Sequence, residues 1–185
     1  MRRVCRLALV LTLVAAALSA ACGYALAGRG NALPTHIQLI GVPDFINHTP
    51  QPDWDRTLTD AVRKEFQTKG KYRVQPTSDG VDGALSCTIS NIYAQPTAFT
   101  PDRQPSSYAI VVTASVEFKD LKDNDKVLWA NPSFRVSDDY QVTTAGTATI
   151  DAAAATALFS QNVQARERLA QKFAKEVVTS IFEAF

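Results

Sequence analysis

The sequence predicts a two-layer α+β fold, in which two helices pack on one face of a four- to five-stranded, mostly antiparallel mixed sheet. Three long segments between residues 84 and 142 alternate apolar and polar side chains, a pattern typical of strands with one buried face. Short polar turns join these segments, which indicates an antiparallel meander. One segment on each side of the meander repeats apolar residues at helical spacing, so two helices are available to cover the sheet.

The N-terminus has the charged start, apolar middle and small-residue end of a signal peptide, which we assign to residues 1–21. Its apolar stretch, residues 7–18, is shorter than the roughly 20 residues that span a bilayer. Small residues lead directly into Cys22, and this order favours attachment of a fatty acid such as palmitate to the Cys22 thiol. Ser19 stands where a lipobox usually has leucine, so a cleavage that leaves Cys22 as a free thiol is the alternative.

Composition and charge argue against several classes of protein. The chain has 19 Lys and Arg against 18 Asp and Glu, and three of its arginines belong to the signal peptide. The mature chain is therefore close to neutral, which argues against a nucleic-acid binder, because such a protein needs a concentrated basic face. Cys5 leaves with the signal peptide, and Cys87 lies in an apolar-alternating run, where we expect it in the core. A disulfide framework is therefore not expected.

The first half of the mature chain predicts a strand–helix–strand unit. Residues 22–35 contain three glycines and a proline and are interpreted as a lipidated tether, followed by a single domain over residues 36–185. A strand is predicted over 36–43, a helix over 53–69 and a short strand over 72–74. Such a unit indicates a parallel strand pair with a right-handed crossover.

The second half predicts the three strands of the meander and one further helix. The strands are expected over residues 84–97, 108–121 and 126–142, with a bulge or break at Pro132, because proline cannot donate to a ladder. From about residue 159 to the C-terminus, apolar side chains recur on one broad stripe and charged side chains lie opposite, which predicts a long helix. Both this stripe and the apolar face of the sheet need cover, so we expect them to pack on each other.

Several of these segments together resemble one protein family. The start of the mature chain, Cys-Gly-Tyr-Ala-Leu-Ala-Gly at residues 22–28, is similar to the C-G-Y-x-L-x-G start of LptE, the lipopolysaccharide-assembly lipoproteins of outer membranes. The helix at residues 58–66, the strands at 108–116 and 126–129 and the last helix are similar to the family in order and spacing. The resemblance covers essentially the whole mature chain.

The resemblance implies a non-enzymatic role. Members of the family are lipid-anchored on the periplasmic side of the outer membrane, partner the outer-membrane β-barrel LptD and help to deliver lipopolysaccharide to the outer leaflet. The expected partners are therefore an LptD-type barrel, lipopolysaccharide, and the bilayer that holds the acyl chains of Cys22. A stand-alone lipid- or ligand-binding lipoprotein is the alternative, and it would need an enclosed apolar cavity.

One loop carries the candidate contact residues. Arg103 lies between two prolines in the loop Phe99–Ser106, which joins two long strands and has the exposed position where functional residues concentrate. Its guanidinium suits phosphate groups, and the resemblance implies that a basic residue in this loop contacts lipopolysaccharide. Phe99 and Tyr108 bracket the loop and are the further candidates for contact with a ligand or partner. A solubilising arginine without a binding role is the alternative for Arg103.

Catalytic, metal and cofactor sites are not expected. The two histidines, His36 and His48, have no metal-ligand spacing, and no nucleophile or phosphate-loop motif occurs. Asp120, Asp123 and Asp125 surround a polar turn with interleaved lysines, which indicates a solvated hairpin rather than a Ca²⁺ loop.

Overall fold

The computed structural model describes a body that begins at Leu33. The described residues are 33–69, 72–99, 101, 103, 105–140 and 151–185. The predicted signal peptide and the acylation site Cys22 lie outside the described residues, as does most of the predicted tether. Leu33, which the sequence analysis assigns to that tether, has only 2% of its surface exposed and belongs to the core.

Six strands and three helices occur in the described part of the chain. The strands are β1 (Leu39–Gly41), β2 (Ile46–Asn47), β3 (Arg73–Gln75), β4 (Gly83–Phe99), β5 (Pro105–Asp120) and β6 (Lys126–Tyr140). The helices are α1 (Trp54–Thr68), α2 (Ala152–Gln161) and α3 (Val163–Glu183). The predicted α+β class is confirmed, with one short strand and one helix more than expected. None of these helices is long and apolar enough to cross a membrane.

The six strands form one mixed sheet in the order β3-β1-β4-β5-β6, with β2 paired to β4. β1 runs parallel to β3 on one side and to β4 on the other, so the predicted parallel pair on either side of a helix is confirmed. β4, β5 and β6 pair antiparallel along almost their whole lengths, which confirms the meander. The predicted break at Pro132 is a bulge, because Ala114 pairs with Phe134 whereas Val116 pairs with Asn131.

Two short segments differ from the sequence prediction. β1 covers only Leu39–Gly41 of the predicted 36–43. It begins late because residues 34–37 form a turn, in which the N–H of Ile37 donates to the carbonyl of Pro34 at 2.9 Å. β2 lies in a stretch for which the sequence predicts only a loop, and it pairs parallel with Thr88 and Ile89 of β4. Two residues are too few to show an alternation of side chains, so the sequence carries no signal for β2.

The predicted C-terminal helix is two helices that meet at Asn162. The N–H of Asn162 closes the last turn of α2, and its side-chain oxygen accepts the N–H of Ala165 at 3.0 Å, which caps α3. α2 begins earlier than expected because Asp151 caps it, its carboxylate accepting the N–H of Ala154 at 2.7 Å. The prediction of one long helix from about residue 159 is therefore wrong at its start, although most of its length forms α3.

The core lies between one face of the sheet and the helices. Phe66 of α1 stacks on Phe118 of β5 at a centroid distance of 6.4 Å, and Phe173 of α3 meets Phe134 of β6 edge-on at 5.5 Å. All four rings are buried. Cys87 lies in this core, as predicted, and burial raises the pKa of its thiol to about 12. The opposite face of the sheet carries a set of small hydroxyl side chains: Ser86, Thr88, Ser90, Thr113, Ser115 and Ser137.

Candidate functional site

The loop that carries the candidate contact residues is shorter than the sequence predicts. Phe99 pairs with Pro105, so both residues belong to strands and the connection is reduced to residues 100–104. Register shifts on both sides of Ala98 interrupt the β4–β5 ladder just before this turn. Such bulges increase the local twist of a hairpin and often lie near functional sites.

The last part of the hairpin extends beyond the buried part of β4. Ala94 is the last buried residue of β4, and its N–H donates to the hydroxyl of Thr156 in α2 at 2.9 Å. α2 therefore closes the free edge of β4 at this point, with a side-chain oxygen in the place of a neighbouring strand. Beyond Ala94 the side chains up to Phe99 are half-buried or exposed. We call residues 95–107 the arm.

Two of the three candidate residues are exposed at the end of the arm. Phe99 has 61% of its surface exposed, the largest fraction among the exposed large apolar side chains of the described residues. Arg103 is exposed and has a φ of 61°, in the left-handed region that costs a non-glycine residue roughly 1–2 kcal/mol. An apolar ring at the end of β4 and a permanent positive charge within the turn are therefore both exposed, a few residues apart in the chain.

Tyr108 lies apart from these two residues. It has 2% of its surface exposed and belongs to the core, with Ile110 and Val112 following on the same face of β5. Phe99 and Arg103 are therefore both exposed near the β4–β5 turn, whereas Tyr108 is buried in β5. The side chain of Tyr108 is not accessible for a contact at the protein surface.

A polar cluster that the sequence analysis assigns to solvent lies at the other end of the hairpin. Asp123 and Asp125 are exposed, as expected, but the side chain of Asp120 is only 2% exposed. Its carboxylate contacts Nε2 of His36 at 2.5 Å and accepts the N–H of Lys122 at 2.9 Å. Burial alone raises the pKa of Asp120, but the bonds from His36 and Lys122 outweigh burial and hold the pKa below the usual aspartate value.

Asp82 belongs to the same cluster. One of its oxygens accepts the N–H of Gln38 at 2.9 Å and that of Leu39 at 2.8 Å, and these two bonds lower the pKa of Asp82. Its other oxygen lies 3.6 Å from Nζ of Lys122. We call this end of the hairpin, where Asp82, Gly83 and Asp120 meet, the base.

The described surface also includes grooves with charged rims. A groove of about 330 Å³ runs between α1 and α3, with Ala61 and Ala170 among its apolar lining and Arg56, Lys64 and Glu167 among its charged lining. Within the described ranges, no group of three or more His, Cys, Asp or Glu side chains could hold a metal ion. Cys22, the candidate site of acylation, lies outside the described residues.

Comparisons with known proteins agree with the arrangement of these elements. The model of the LptE family, whose description is lipopolysaccharide-assembly, matches residues 37–184. That match includes every strand and helix named above. No curated protein matches the chain.

Solved structures share the fold at low sequence identity. A protein from Chlamydia trachomatis has a TM-score of 0.51 at 8% identity, over 80% of this chain and 98% of that one. A protein from Xanthomonas campestris has a TM-score of 0.50 at 16% identity, over 80% and 84%. Lipoprotein B from Nitrosomonas europaea has a TM-score of 0.50 at 9% identity, over 86% and 90%. These structures support the fold, and the family match over nearly the whole described body shows that the chain belongs to the LptE lipopolysaccharide-assembly family.

Proposed function

We propose that this chain is a lipid-anchored lipoprotein of the outer membrane that partners an LptD-type β-barrel and presents its arm to lipopolysaccharide. The observation that carries the proposal is the match of residues 37–184 to a non-enzymatic family that works in lipopolysaccharide assembly. The general role follows from the family. The membrane, the anchor, the barrel partner and the lipopolysaccharide contact are the finer parts of the proposal.

The proposed anchor is acylation of Cys22, with the folded body on the periplasmic side. An export signal followed by small residues and a cysteine is the arrangement that a lipoprotein precursor requires. Stable attachment needs more than one acyl chain, because a single chain binds a bilayer only marginally.

The arm has the chemistry to contact an anionic glycolipid. The guanidinium of Arg103 is planar and permanently charged, so it can donate two hydrogen bonds to one phosphate group. Phe99 places an exposed apolar ring at the end of β4, where it can meet acyl chains or an apolar patch of the barrel. Pro101 and Pro105 flank Arg103 and restrict the backbone, which reduces the entropy lost on binding.

The helix-free face of the sheet has the chemistry of a surface that meets a barrel interior. The lumen of a transmembrane β-barrel is polar, and this face carries hydroxyl side chains such as those of Thr88, Thr113 and Ser115. The hydroxyl of Ser90 also donates to the carbonyl of Thr113 at 3.0 Å, across the β4–β5 pair. The same face also carries Glu117, Lys119 and Arg135, so it offers charged groups as well as hydroxyl groups to a polar wall.

Co-purification from detergent-solubilised outer membranes tests the proposed partnership. The tagged wild-type chain is expected to retain a large β-barrel protein together with lipopolysaccharide. If lipopolysaccharide is retained and no barrel is found, the chain acts as a stand-alone lipid-binding lipoprotein and the proposed partnership is wrong. If neither is retained, the proposed role of the arm is wrong as well.

Labelling with a radioactive fatty acid tests the proposed anchor separately. The wild-type chain is expected to incorporate label, and Cys22→Ser is expected to incorporate none and to remain uncleaved or to be cleaved by the general signal peptidase. Label that persists in Cys22→Ser, or that is absent from the wild type, contradicts the anchor without bearing on the arm.

A further inference from the structure

The segment that precedes β1 is held firmly on the body. Leu33 and Ile37 are each 2% exposed and belong to the core, and the N–H of Leu33 donates to the hydroxyl of Tyr72 at 3.2 Å. The carbonyl of Gln38 accepts the N–H of Arg73 at 2.9 Å. We call residues 33–38 the strap, because they join the predicted tether to the first strand.

Asp120 is the point on the base to which the strap is fixed by a side chain. Among the described residues it is the only charged side chain that is buried, and a buried carboxylate is costly unless hydrogen bonds and opposite charges compensate it. His36 of the strap bonds one carboxylate oxygen, and the N–H of Lys122 bonds the other. Lys126 lies opposite Asp120 in the β5–β6 ladder. The strap therefore supplies one of the groups that stabilise Asp120 as a buried anion.

Asp82 fixes the end of the strap that leads into β1. It accepts the N–H groups of Gln38 and Leu39, and the carbonyl of Leu39 in turn accepts the N–H of Asp82 at 2.9 Å. Lys122 links the two fixed points, because its Nζ lies 3.6 Å from Asp82 while its N–H bonds Asp120. The strap is thus tied to the β3–β4 connection and to the β5–β6 turn at once.

We propose that His36 and Asp120 form a catch that holds the strap on the base, so that residues 33–38 stay part of the folded body. The catch rests on contacts among described residues alone and is independent of the proposed acylation of Cys22.

Hydrogen exchange of the mature chain in detergent tests the catch. His36→Ala removes a side chain that is 48% exposed, so it leaves the apolar core intact. We expect exchange of the backbone amides in residues 33–39 to become about tenfold faster, because the loss of one charged hydrogen bond lowers the cost of local opening by that factor. Amides in α3 that exchange through local openings, which leave the strap in place, are expected to exchange at the wild-type rate. His48→Ala, which changes the chain's other histidine in an exposed position, is the matched control and is expected to change neither.

The outcomes separate a catch from a general loss of stability and from a failure of the anchor. Unchanged exchange in residues 33–39 of His36→Ala, or equal acceleration in every part of the chain, overturns the proposal. Asp120→Asn keeps the size of the side chain and is expected to release the same residues, which tests the partner of His36 independently. The Cys22→Ser chain is expected to show the same contrast between the two histidine variants. The catch is therefore decided even if the wild type carries no lipid.

Discussion

The β4–β5 hairpin has a packed end and a bare end within the same two strands. At the base, Phe118 is fully buried against Phe66, and Asp120 is buried with hydrogen bonds on both carboxylate oxygens. At the arm, Phe99 is 61% exposed and Arg103 is held in a left-handed conformation. Pairing between β4 and β5 resumes at Phe99 and Pro105 after the register shifts at Ala98, so backbone pairing holds the arm where no buried core does. The comparison teaches that side-chain packing holds the base, whereas the arm keeps Phe99 and Arg103 exposed and available for the binding that we propose.

The largest expected difference in stability comes from replacing one phenylalanine in the base and one in the arm with alanine. Phe118→Ala is expected to lower the free energy of unfolding by about 3–5 kcal/mol, because it leaves a cavity between Phe66 and the sheet. Phe99→Ala removes a ring that packs on little, and its effect is expected to stay within about 0.5 kcal/mol. Denaturant unfolding of both variants measures the difference. Similar losses in the two variants would mean that the arm is part of the folding core.

A second comparison enlarges one small side chain in the base and one in the arm. A Cβ at Gly83 would lie 2.9 Å from Cζ of Phe118 and 3.3 Å from the carbonyl oxygen of Lys119, so Gly83→Ala forces the base apart. We expect a loss of about 1–3 kcal/mol in the free energy of unfolding, which is typical of overpacking. Ala98→Val enlarges an exposed side chain of the arm and is expected to change the free energy of unfolding by less than about 0.5 kcal/mol. A Gly83→Ala chain as stable as the wild type would show that Phe118 can move aside, and that the base is less tightly packed than described.

A third comparison is the dependence of the unfolding free energy on pH in the acid range. The pKa values of Asp82 and Asp120 are lowered in the folded chain, so their contribution to stability is present above the unfolded aspartate value of about 3.9 and is lost as the pH falls through the folded values. The Asp120→Asn variant lacks this titrating carboxylate. The slope of its unfolding free energy against pH in the acid range is therefore expected to be smaller than that of the wild type, by up to about 1.4 kcal/mol per pH unit. Asp139→Asn changes an exposed carboxylate and is the control. Stability against pH is measured by denaturant unfolding between pH 3 and pH 7, and equal acid limbs in the wild type and Asp120→Asn would contradict the prediction.

The sequence predicts the long strands and the core well, because alternation over many residues fixes which face of a strand is buried. The same alternation also predicts the burial of two residues of β5, Tyr108 and Asp120. Tyr108 and Asp120 fall in step with Ile110 and Phe118 within the predicted strand 108–121, so the pattern of that strand places both side chains on the buried face. Their positions favour the surface instead, because Tyr108 brackets a loop and Asp120 lies beside a polar turn.

Other features depend on contacts that no local pattern contains. His36 and Asp120 are 84 residues apart in the chain, and they meet only because β1 lies beside β4 and β4 beside β5. The division between α2 and α3 is a different case, because Asn162 is a favourable capping residue and its signal was available. The apolar stripe runs on through Val163, and this continuity concealed the cap. The prolines and the arginine predict the loop Phe99–Ser106, whereas the extent of the arm depends on the register of β4 and β5.

The most direct test of the binding role assigned to the arm is the effect of reversing its charge. Arg103→Glu is expected to leave the melting temperature unchanged, because Arg103 is exposed, and to weaken binding of lipopolysaccharide or of the barrel about tenfold at low ionic strength. Arg56→Glu makes the same change at an exposed position of α1 and is the matched control, expected to bind as the wild type does. Binding by Arg103→Glu equal to that of the wild type and of Arg56→Glu, for both lipopolysaccharide and the barrel, would show that Arg103 is not part of the binding site.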